Sequence, residues 1–421
     1  MEPLGTPIGL GISMNIFNDT YLANGALTSL QRTAFTSGLT GLYFRTVAWR
    51  IWLGVYPKEI TPEWVSVIKR TREKYQNLMN IYFDGDTPKV IEDPSPEFKD
   101  IHRRITNDVD RLFNMYDYFT DSEFRKKMWK MLFIYAYEHQ SMNYQQGFHE
   151  LLAIIYRAID ADLSEQVHIQ WKSVSTFPEE YKGVVQCLID RYYMEHDAYV
   201  LFEALMNELG DVYEVKKEVD KRKASNIQEK CDTLFNSLEK IDCMYYQLLV
   251  NQNVIPSVFG IRWIKMVFTR EFHINDVVEV WDAIFAYGEH LKLIEGMFLA
   301  MLIYLRNDVF ERDDENYTLK RLMKFPPVFS LRPIIEMAIS ISDKKDKVGE
   351  LLHEKVQEVN PVKTNRMKRK EVKKCLVRHT EEVITGSPEQ SHIQRDEKSK
   401  GRPTNEKKVL PKPEWMNFEL L

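Results

Sequence analysis

Two polar side chains within residues 105–152 are of the types that phosphoryl-transfer chemistry uses. Arg111 could place positive charge on a transferring phosphoryl group, and the amide of Gln146 could orient the attacking water. Asp108 stands three residues before Arg111, one helical turn away, so its carboxylate could hold the guanidinium in place. On these residues alone, an ordinary surface salt bridge and an ordinary polar glutamine remain the simpler interpretation.

Gln146 lies in a short Tyr-x-Gln-Gly sequence that begins at Tyr144 and ends at Gly147. The glycine would allow close approach to its backbone. His149 then opens a sequence like the start of a zinc-protease helix, but Ala153 occupies the place of that motif's second histidine. The sequence contains no phosphate loop, dinucleotide-binding glycine motif or nucleophile elbow. We therefore expect no metal site, and any nucleotide would have to arrive with a partner.

The residues between these two groups predict a helix that acts as a spacer. Thr120 and Glu123 form a Thr-x-x-Glu capping box, which is typical of a helix start. Apolar residues then recur at the spacing of one helix face, namely Phe124, Met128, Met131, Leu132, Tyr135 and Ala136. We expect these apolar side chains to be core, with no chemical role of their own.

Helical periodicity recurs along the chain, and no convincing alternation of polar and apolar residues predicts a strand. The predicted fold class is therefore all-α and multi-helical. Residues 1–36 lack a sustained period and predict a loosely ordered leader, whereas residues 37–340 form the predicted domain. Residues 341–421 predict a charged, partly disordered tail with an apolar C-terminal segment. Residues 160–183 and 214–230 are polar, and we interpret them as surface segments.

Charge and hydropathy limit the classes of partner. Lysine plus arginine (57) nearly balance aspartate plus glutamate (62), so no global field predicts binding to nucleic acid or to an anionic membrane. The longest strongly apolar run, residues 293–305, is shorter than the roughly 20 residues that a membrane span requires. The four cysteines include no Cys-x-x-Cys pair, which argues against a zinc knuckle. We expect a cytoplasmic protein that reaches membranes only through partners.

Further motifs extend the pattern beyond residues 105–152. In chain order the set is Arg45 with Trp49, Asp108 with Arg111, Tyr144 with Gln146 and Gly147, Arg262 with Trp263, Arg270, and Trp281 with Asp282. Their order and approximate spacing resemble the TBC domain, a family of GTPase-activating proteins for Rab GTPases. The resemblance covers roughly residues 38–328, and the motifs are highly specific as a set.

The resemblance implies a domain of two lobes, about residues 37–190 and about residues 191–340. It also implies that Arg111 is an arginine finger and Gln146 a glutamine finger, which together complete the active site of a Rab. GTP and Mg²⁺ would be carried by the Rab, so the protein would have no cofactor and would be an enzyme activator. The alternative is a catalytically inactive adaptor that binds a Rab or retromer.

By the same resemblance, Asp108, Tyr144 and Gly147 would support the two fingers. The other motif residues are expected to form ion pairs and packing that fix the lobes, namely Arg45, Trp49, Arg262, Trp263, Arg270 and Asp282. The chain departs from many family members at two positions. Gln145 stands where cysteine is common, and Leu112 stands where threonine is common.

Three stretches, residues 144–153, 195–199 and 259–263, look most like the retromer-associated member of this family. That likeness implies a late-endosomal Rab as substrate, recruitment to endosomal membranes, and contact with retromer and an autophagy-modifier protein. At the C-terminus, Phe418 and Leu421 have the aromatic-x-x-aliphatic form of a segment that adds as a strand to such a modifier. A disordered end, or an end that folds back onto the domain, is the alternative.

Overall fold

The computed structural model describes residues 10–89, 96–164, 178–213, 226–288 and 290–343. Almost all of the predicted tail, with Phe418 and Leu421, lies outside these described residues. The same holds for much of the two polar segments, residues 160–183 and 214–230.

The described residues form α-helices almost throughout, which confirms the all-α prediction. The helices are α1 (Leu10–Phe17), α2 (Ala26–Thr36), α3 (Arg45–Trp52), α4 (Trp64–Tyr82), α5 (Pro96–Asp110), α6 (Asp117–Thr120), α7 (Ser122–Glu138), α8 (Phe148–Asp162), α9 (Lys182–Leu188), α10 (Met194–Glu208), α11 (Gly210–Tyr213), α12 (Asn226–Ile241), α13 (Cys243–Asn251), α14 (Pro256–Lys265), α15 (Ile274–Tyr287), α16 (Leu293–Arg312), α17 (Glu315–Met323) and α18 (Arg332–Asp343). One turn of π-helix (Asn18–Leu22), two of 3₁₀-helix (Glu179–Tyr181 and Arg191–Tyr193) and an antiparallel hairpin of β1 (Phe83–Asp84) and β2 (Thr87–Pro88) complete these elements. In the ranges described, no helix is both long and apolar enough to cross a bilayer.

Residues 10–36 of the predicted leader are largely helical, and several side chains from Ser13 onward are buried, so this part of the chain differs from the loose order expected for residues 1–36. Phe17 and Tyr21 are buried, and the Tyr21 hydroxyl donates a hydrogen bond to the Phe44 carbonyl at 2.6 Å. The π-helical turn Asn18–Leu22 follows α1 directly and leads into the short loop before α2. Because this turn shifts the register of the buried face, no single 3.6-residue period runs through the segment.

Helix α7 is the predicted spacer, and its N-cap, Asp121, lies one residue after the predicted cap, Thr120. The Asp121 carboxylate, not the Thr120 hydroxyl, accepts the hydrogen bond from the Phe124 amide, at 2.8 Å. The negative charge of an aspartate at this position is also stabilised by the positive end of the helix dipole. Helix α7 packs against both α5 and α8, so it lies between the elements that carry the two candidate groups.

Buried apolar side chains form two clusters among the described residues. The smaller cluster joins α1–α4 to α9, and the larger one contains buried residues of α5, α7, α8, α10 and α12–α18. Trp49 belongs to the larger cluster although it lies on α3, where it packs against Trp281 and Phe285 of α15. The division into two lobes near residue 190 stays a prediction.

Candidate functional site

Arg111 directly follows the last residue of α5, where the chain turns away from the helix axis. Its Nη2 donates to Oδ1 of Asp108 at 2.5 Å. The two side chains differ in environment, because Arg111 is 49% exposed whereas Asp108 is only 8% exposed. The guanidinium is therefore accessible to a partner, while the carboxylate that holds it is fixed inside the domain.

The second carboxylate oxygen of Asp108 connects Arg111 to the segment that contains Gln146. Oδ2 of Asp108 accepts a hydrogen bond from the hydroxyl of Tyr144 at 2.7 Å. Arg104, also on α5, donates to the Tyr144 carbonyl at 2.7 Å. Burial and the Asp108 carboxylate raise the pKa of Tyr144 well above its usual value, so the phenol stays protonated and remains a donor. Asp108 and Tyr144, two of the three residues expected to support the fingers, thus connect Arg111 to the segment that carries Gln146.

Gln146 is exposed, and its side chain makes no hydrogen bond within the described part of the chain. Gly147 follows with a φ of +110°, a backbone conformation that residues other than glycine rarely adopt. A Cβ at Gly147 would lie 2.4 Å from Sδ of Met266. The glycine is therefore required for the turn and for close packing against Met266, which refines the predicted reason for its presence.

His149 and Glu150 extend the network, and sequence reasoning missed them as site residues. Nδ1 of His149 lies 3.1 Å from the Tyr144 hydroxyl and 3.5 Å from Oδ2 of Asp108. Oε1 of Glu150 accepts from Nε (3.0 Å) and Nη2 (2.5 Å) of Arg270. Burial lowers the pKa of His149, so its imidazole is neutral at physiological pH. In the sequence these two residues resembled only an incomplete zinc motif.

Neighbouring polar side chains therefore line the path from the surface at Arg111 to the turn after α14. Arg111, Asp108, Tyr144 and His149 are in direct contact. Nε2 of the neutral His149 lies 3.7 Å from Oε1 of Glu150, beyond hydrogen-bond distance, and Glu150 pairs with Arg270, which is 34% exposed. Arg270 was expected to be structural, and its contact with Glu150 is an ion pair of that kind. The same contact also places it at the far end of the network that holds Arg111.

The backbone is strained beside each segment of this network. Phe113, Asn143, Val267 and Phe268 all have positive φ, at 42°, 52°, 44° and 62°. Phe113 follows Arg111, Asn143 precedes Tyr144, and the other two precede Arg270. Such strain costs of order 1–3 kcal/mol per residue and persists only where the surrounding packing requires it. The fold therefore stabilises an otherwise unfavourable arrangement of these three segments.

The other predicted motif residues lie apart from this network and make structural contacts. Oδ1 of buried Asp282 accepts from Nε1 of Trp49 at 2.8 Å and lies 3.3 Å from Nε of Arg45. Arg262 forms a two-bond ion pair with Glu271 at 2.7 and 3.0 Å. Trp263, next to Arg262, is fully buried between Phe259, Phe298 and Phe325. Each of these contacts is an ion pair, a hydrogen bond or a packing contact, and the structural role of these residues stays a prediction.

The arrangement suits a site that acts on a molecule outside this chain. An exposed guanidinium can stabilise negative charge, and an exposed amide can both donate to and accept from a water. In the described ranges, no group of three or more His, Cys, Asp or Glu side chains is placed to hold a metal ion. The geometry offers two polar groups on a supported surface.

The sequence matches the Rab-GTPase-TBC domain family over residues 43–310, and the chain belongs to this family. The resemblance drawn from the motifs is thereby confirmed. Both candidate groups, Arg111 and Gln146, lie within the matched region.

Among curated relatives, the chain is 27% identical to TBC1 domain family member 5 of mouse over 369 residues, which cover 79% of this chain and 44% of that protein. It is also 27% identical to the human protein of that name, over 78% of this chain and 45% of the relative. The chain thus spans less than half the length of these relatives. Among solved structures, the Ypt/Rab-GAP domain of Gyp1p has the same fold, with a TM-score of 0.59 at 16% identity over 80% of this chain and 98% of that domain.

Proposed function

We propose that this chain accelerates GTP hydrolysis by a Rab GTPase, with Arg111 as an arginine finger and Gln146 as a glutamine finger. The observation that carries the proposal is the shared anchor of the two groups. Arg111 is half-exposed on the buried carboxylate of Asp108, and that carboxylate also binds Tyr144, two residues before the exposed Gln146. Membership of the TBC family supports a Rab as the partner.

The roles of the residues follow from the needs of the reaction. Charge develops on the phosphoryl oxygens during GTP hydrolysis, and the guanidinium of Arg111 would stabilise it from outside the GTPase. Asp108 limits the rotamers of Arg111 before binding, so less conformational entropy is lost when the complex forms. Gln146 would orient the attacking water. GTP and Mg²⁺ come with the Rab, so the chain acts as an enzyme activator.

More specific assignments are part of the same proposal. The late-endosomal Rab, the retromer contact and the recruitment to endosomal membranes rest on likeness of motifs to the retromer-associated member of the family. The autophagy-modifier contact rests on Phe418 and Leu421, outside the described residues; titration of a peptide of residues 414–421 against such modifiers, with Phe418→Ala, tests it. The alternative function is an adaptor that binds a Rab or retromer without accelerating hydrolysis.

The test is single-turnover GTP hydrolysis across a panel of Rab GTPases that includes late-endosomal members. We expect wild type to accelerate at least one Rab, and Arg111→Lys to lower that rate on the order of 10³-fold or more, because lysine cannot reproduce the planar two-donor contact. Gln146→Ala should lower the maximal rate by a smaller factor.

Arg103→Lys is the matched control, because Arg103 lies on the same helix and pairs with Asp100 at the same three-residue spacing. It should leave the rate unchanged. A wild-type protein that accelerates no Rab, or an Arg111→Lys variant with full activity, would show the catalytic assignment to be wrong. Rab binding without acceleration would favour the adaptor.

A further inference from the structure

The side chain of Gln145, unlike that of Gln146, is hydrogen-bonded at both ends of its amide. Its half-buried amide nitrogen donates to the carbonyl of Tyr213 at 2.9 Å and lies 3.3 Å from the carbonyl of Met142. Its amide oxygen accepts from Nζ of Lys265 at 3.2 Å. One planar group therefore joins the turn before α8 to the ends of α11 and α14.

Tyr213 and Lys265, which bind the side chain of Gln145, also contact each other. The Tyr213 hydroxyl donates to the Lys265 carbonyl at 2.5 Å, and Nζ of Lys265 lies 4.8 Å from the centre of the Tyr213 ring. Tyr213 is itself buried and packs edge-on against Phe148, the first residue of α8. Tyr213 and Lys265 thus contact each other as well as Gln145, and together they form the binding site of the Gln145 amide.

These contacts hold the backbone at Gln145, on one side of Gln146, and the packing of Gly147 holds the backbone on the other side. Met266, the neighbour of Lys265, packs so closely against Gly147 that an added Cβ would lie 2.4 Å from its Sδ and would force the methionine side chain to shift. The Gln146 side chain has no hydrogen bond of its own to define its position within the described residues. The backbone of Gln146, and with it the Cα–Cβ direction of the side chain, is therefore held by its two neighbours.

We infer that Gln145 is a positioning residue for Gln146, and that Tyr213 and Lys265 hold the side chain of Gln145 in place. This inference rests on the proposed function, since it assigns Gln145 a role through the glutamine finger. A primary amide is required because it must donate to a carbonyl and accept from an ammonium group at the same time. Glutamate would keep only the contact with Lys265, and methionine, of similar length, would keep neither.

The test compares Gln145→Met and Gln145→Glu with wild type in GTP hydrolysis on the Rab that wild type accelerates. We expect Gln145→Met to lower kcat about 10- to 100-fold, since a misplacement of about 1 Å can have an effect of that size. KM for the GTP-bound Rab should change less than about 3-fold, because the surface that binds the Rab is unaltered. Gln145→Glu should recover part of the lost rate, and Gln186→Met, an exposed glutamine of α9, is the control.

The distinguishing measurement repeats Gln145→Met in the Gln146→Ala background. If Gln145 acts through Gln146, adding Gln145→Met to the Gln146→Ala variant has almost no further effect on kcat. Additive effects, or a wild-type kcat for Gln145→Met, would overturn the inference while leaving the proposed function intact. Should Gln145→Met not fold, Lys265→Met removes the same bond from the other side and is examined in the same cycle. If wild type accelerates no Rab, the proposed function fails and the inference fails with it.

Discussion

Arg103 and Arg111 each follow an aspartate by three residues, yet the two pairs lie in different environments. The pair Asp100 and Arg103 is exposed on both sides, at 46% and 70%, and is an ordinary surface ion pair of small energetic value. Asp108 is buried and already bound by Tyr144, so it holds Arg111 in one place. The difference between the two pairs is burial of the carboxylate, which their shared spacing does not reveal.

At the same scale, Gly147 is expected to be intolerant of a side chain. We expect Gly147→Ala to lower the free energy of unfolding by about 2–3 kcal/mol and to lower the hydrolysis rate, because strain at positive φ adds to overpacking against Met266. Gly54→Ala is the matched control, since Gly54 has a φ of +74° with nothing within 4 Å of the added Cβ. It should show the strain alone, about 1 kcal/mol. Chemical denaturation of both variants is the measurement, and equal losses would contradict the role of Met266.

The turn after α14 supports both candidate groups at the scale of secondary-structure elements. Lys265 and Met266 contact the residues on either side of Gln146, and Arg270 binds Glu150 in the network of Arg111. Val267 and Phe268, between them, are both in the left-handed conformation. This reversal of the chain lets six consecutive residues reach two different parts of the site.

Two neighbouring ion pairs in this turn permit a matched comparison. Arg270→Met leaves Glu150 unpaired, and Arg262→Met leaves Glu271 unpaired; because each arginine is only partly exposed, each change should lower the free energy of unfolding by about 2 kcal/mol. Only Arg270→Met should also lower kcat, since only Glu150 contacts the network of Asp108. Urea denaturation and single-turnover hydrolysis provide the two measurements. Equal effects of the two variants on kcat would exclude this supporting role for Arg270.

Buried carboxylates connect distant parts of the whole molecule. Asp282 of α15 accepts hydrogen bonds from the Leu39 amide and from Trp49 of α3, which precede it by more than 230 residues. Asp162, at the end of α8, accepts from the Arg45 and Thr46 amides at the start of α3. These contacts fix α3 against both α8 and α15, and they give the fold a dependence on pH.

Burial raises the pKa of Asp282 to about 7, and the Arg45 guanidinium only partly offsets this. Between about pH 4 and pH 7 the folded state therefore retains a proton that the unfolded state releases. Its contribution to stability falls as pH rises through this window, by roughly 1.4 kcal/mol per unit of pKa difference. We expect the unfolding free energy of wild type to fall relative to that of Asp282→Asn over this range. Urea unfolding at several pH values measures the difference, and parallel pH profiles would contradict the prediction.

Local features were predictable because they depend on neighbours in the sequence. The apolar spacing after Phe124 defined α7 correctly, although its cap is Asp121 and not Thr120. The helix Leu10–Phe17 escaped prediction because the π-helical turn that follows it interrupts the helical period of the sequence. The candidate residues Arg111 and Gln146 could be named from motif order, but their roles stay predictions until the rates are measured.

The sequence by itself determined the all-α class, the family and the two candidate groups, because periodicity and motif spacing are properties of the linear chain. Only the tertiary structure decided that Asp108 is buried beneath Arg111 and that Tyr144 shares it. It also decided that Gln145 is held by Tyr213 and Lys265, which lie 68 and 120 positions further along the chain. Burial and hydrogen bonding between distant residues depend on how helices pack, and no local pattern of residue types encodes that packing.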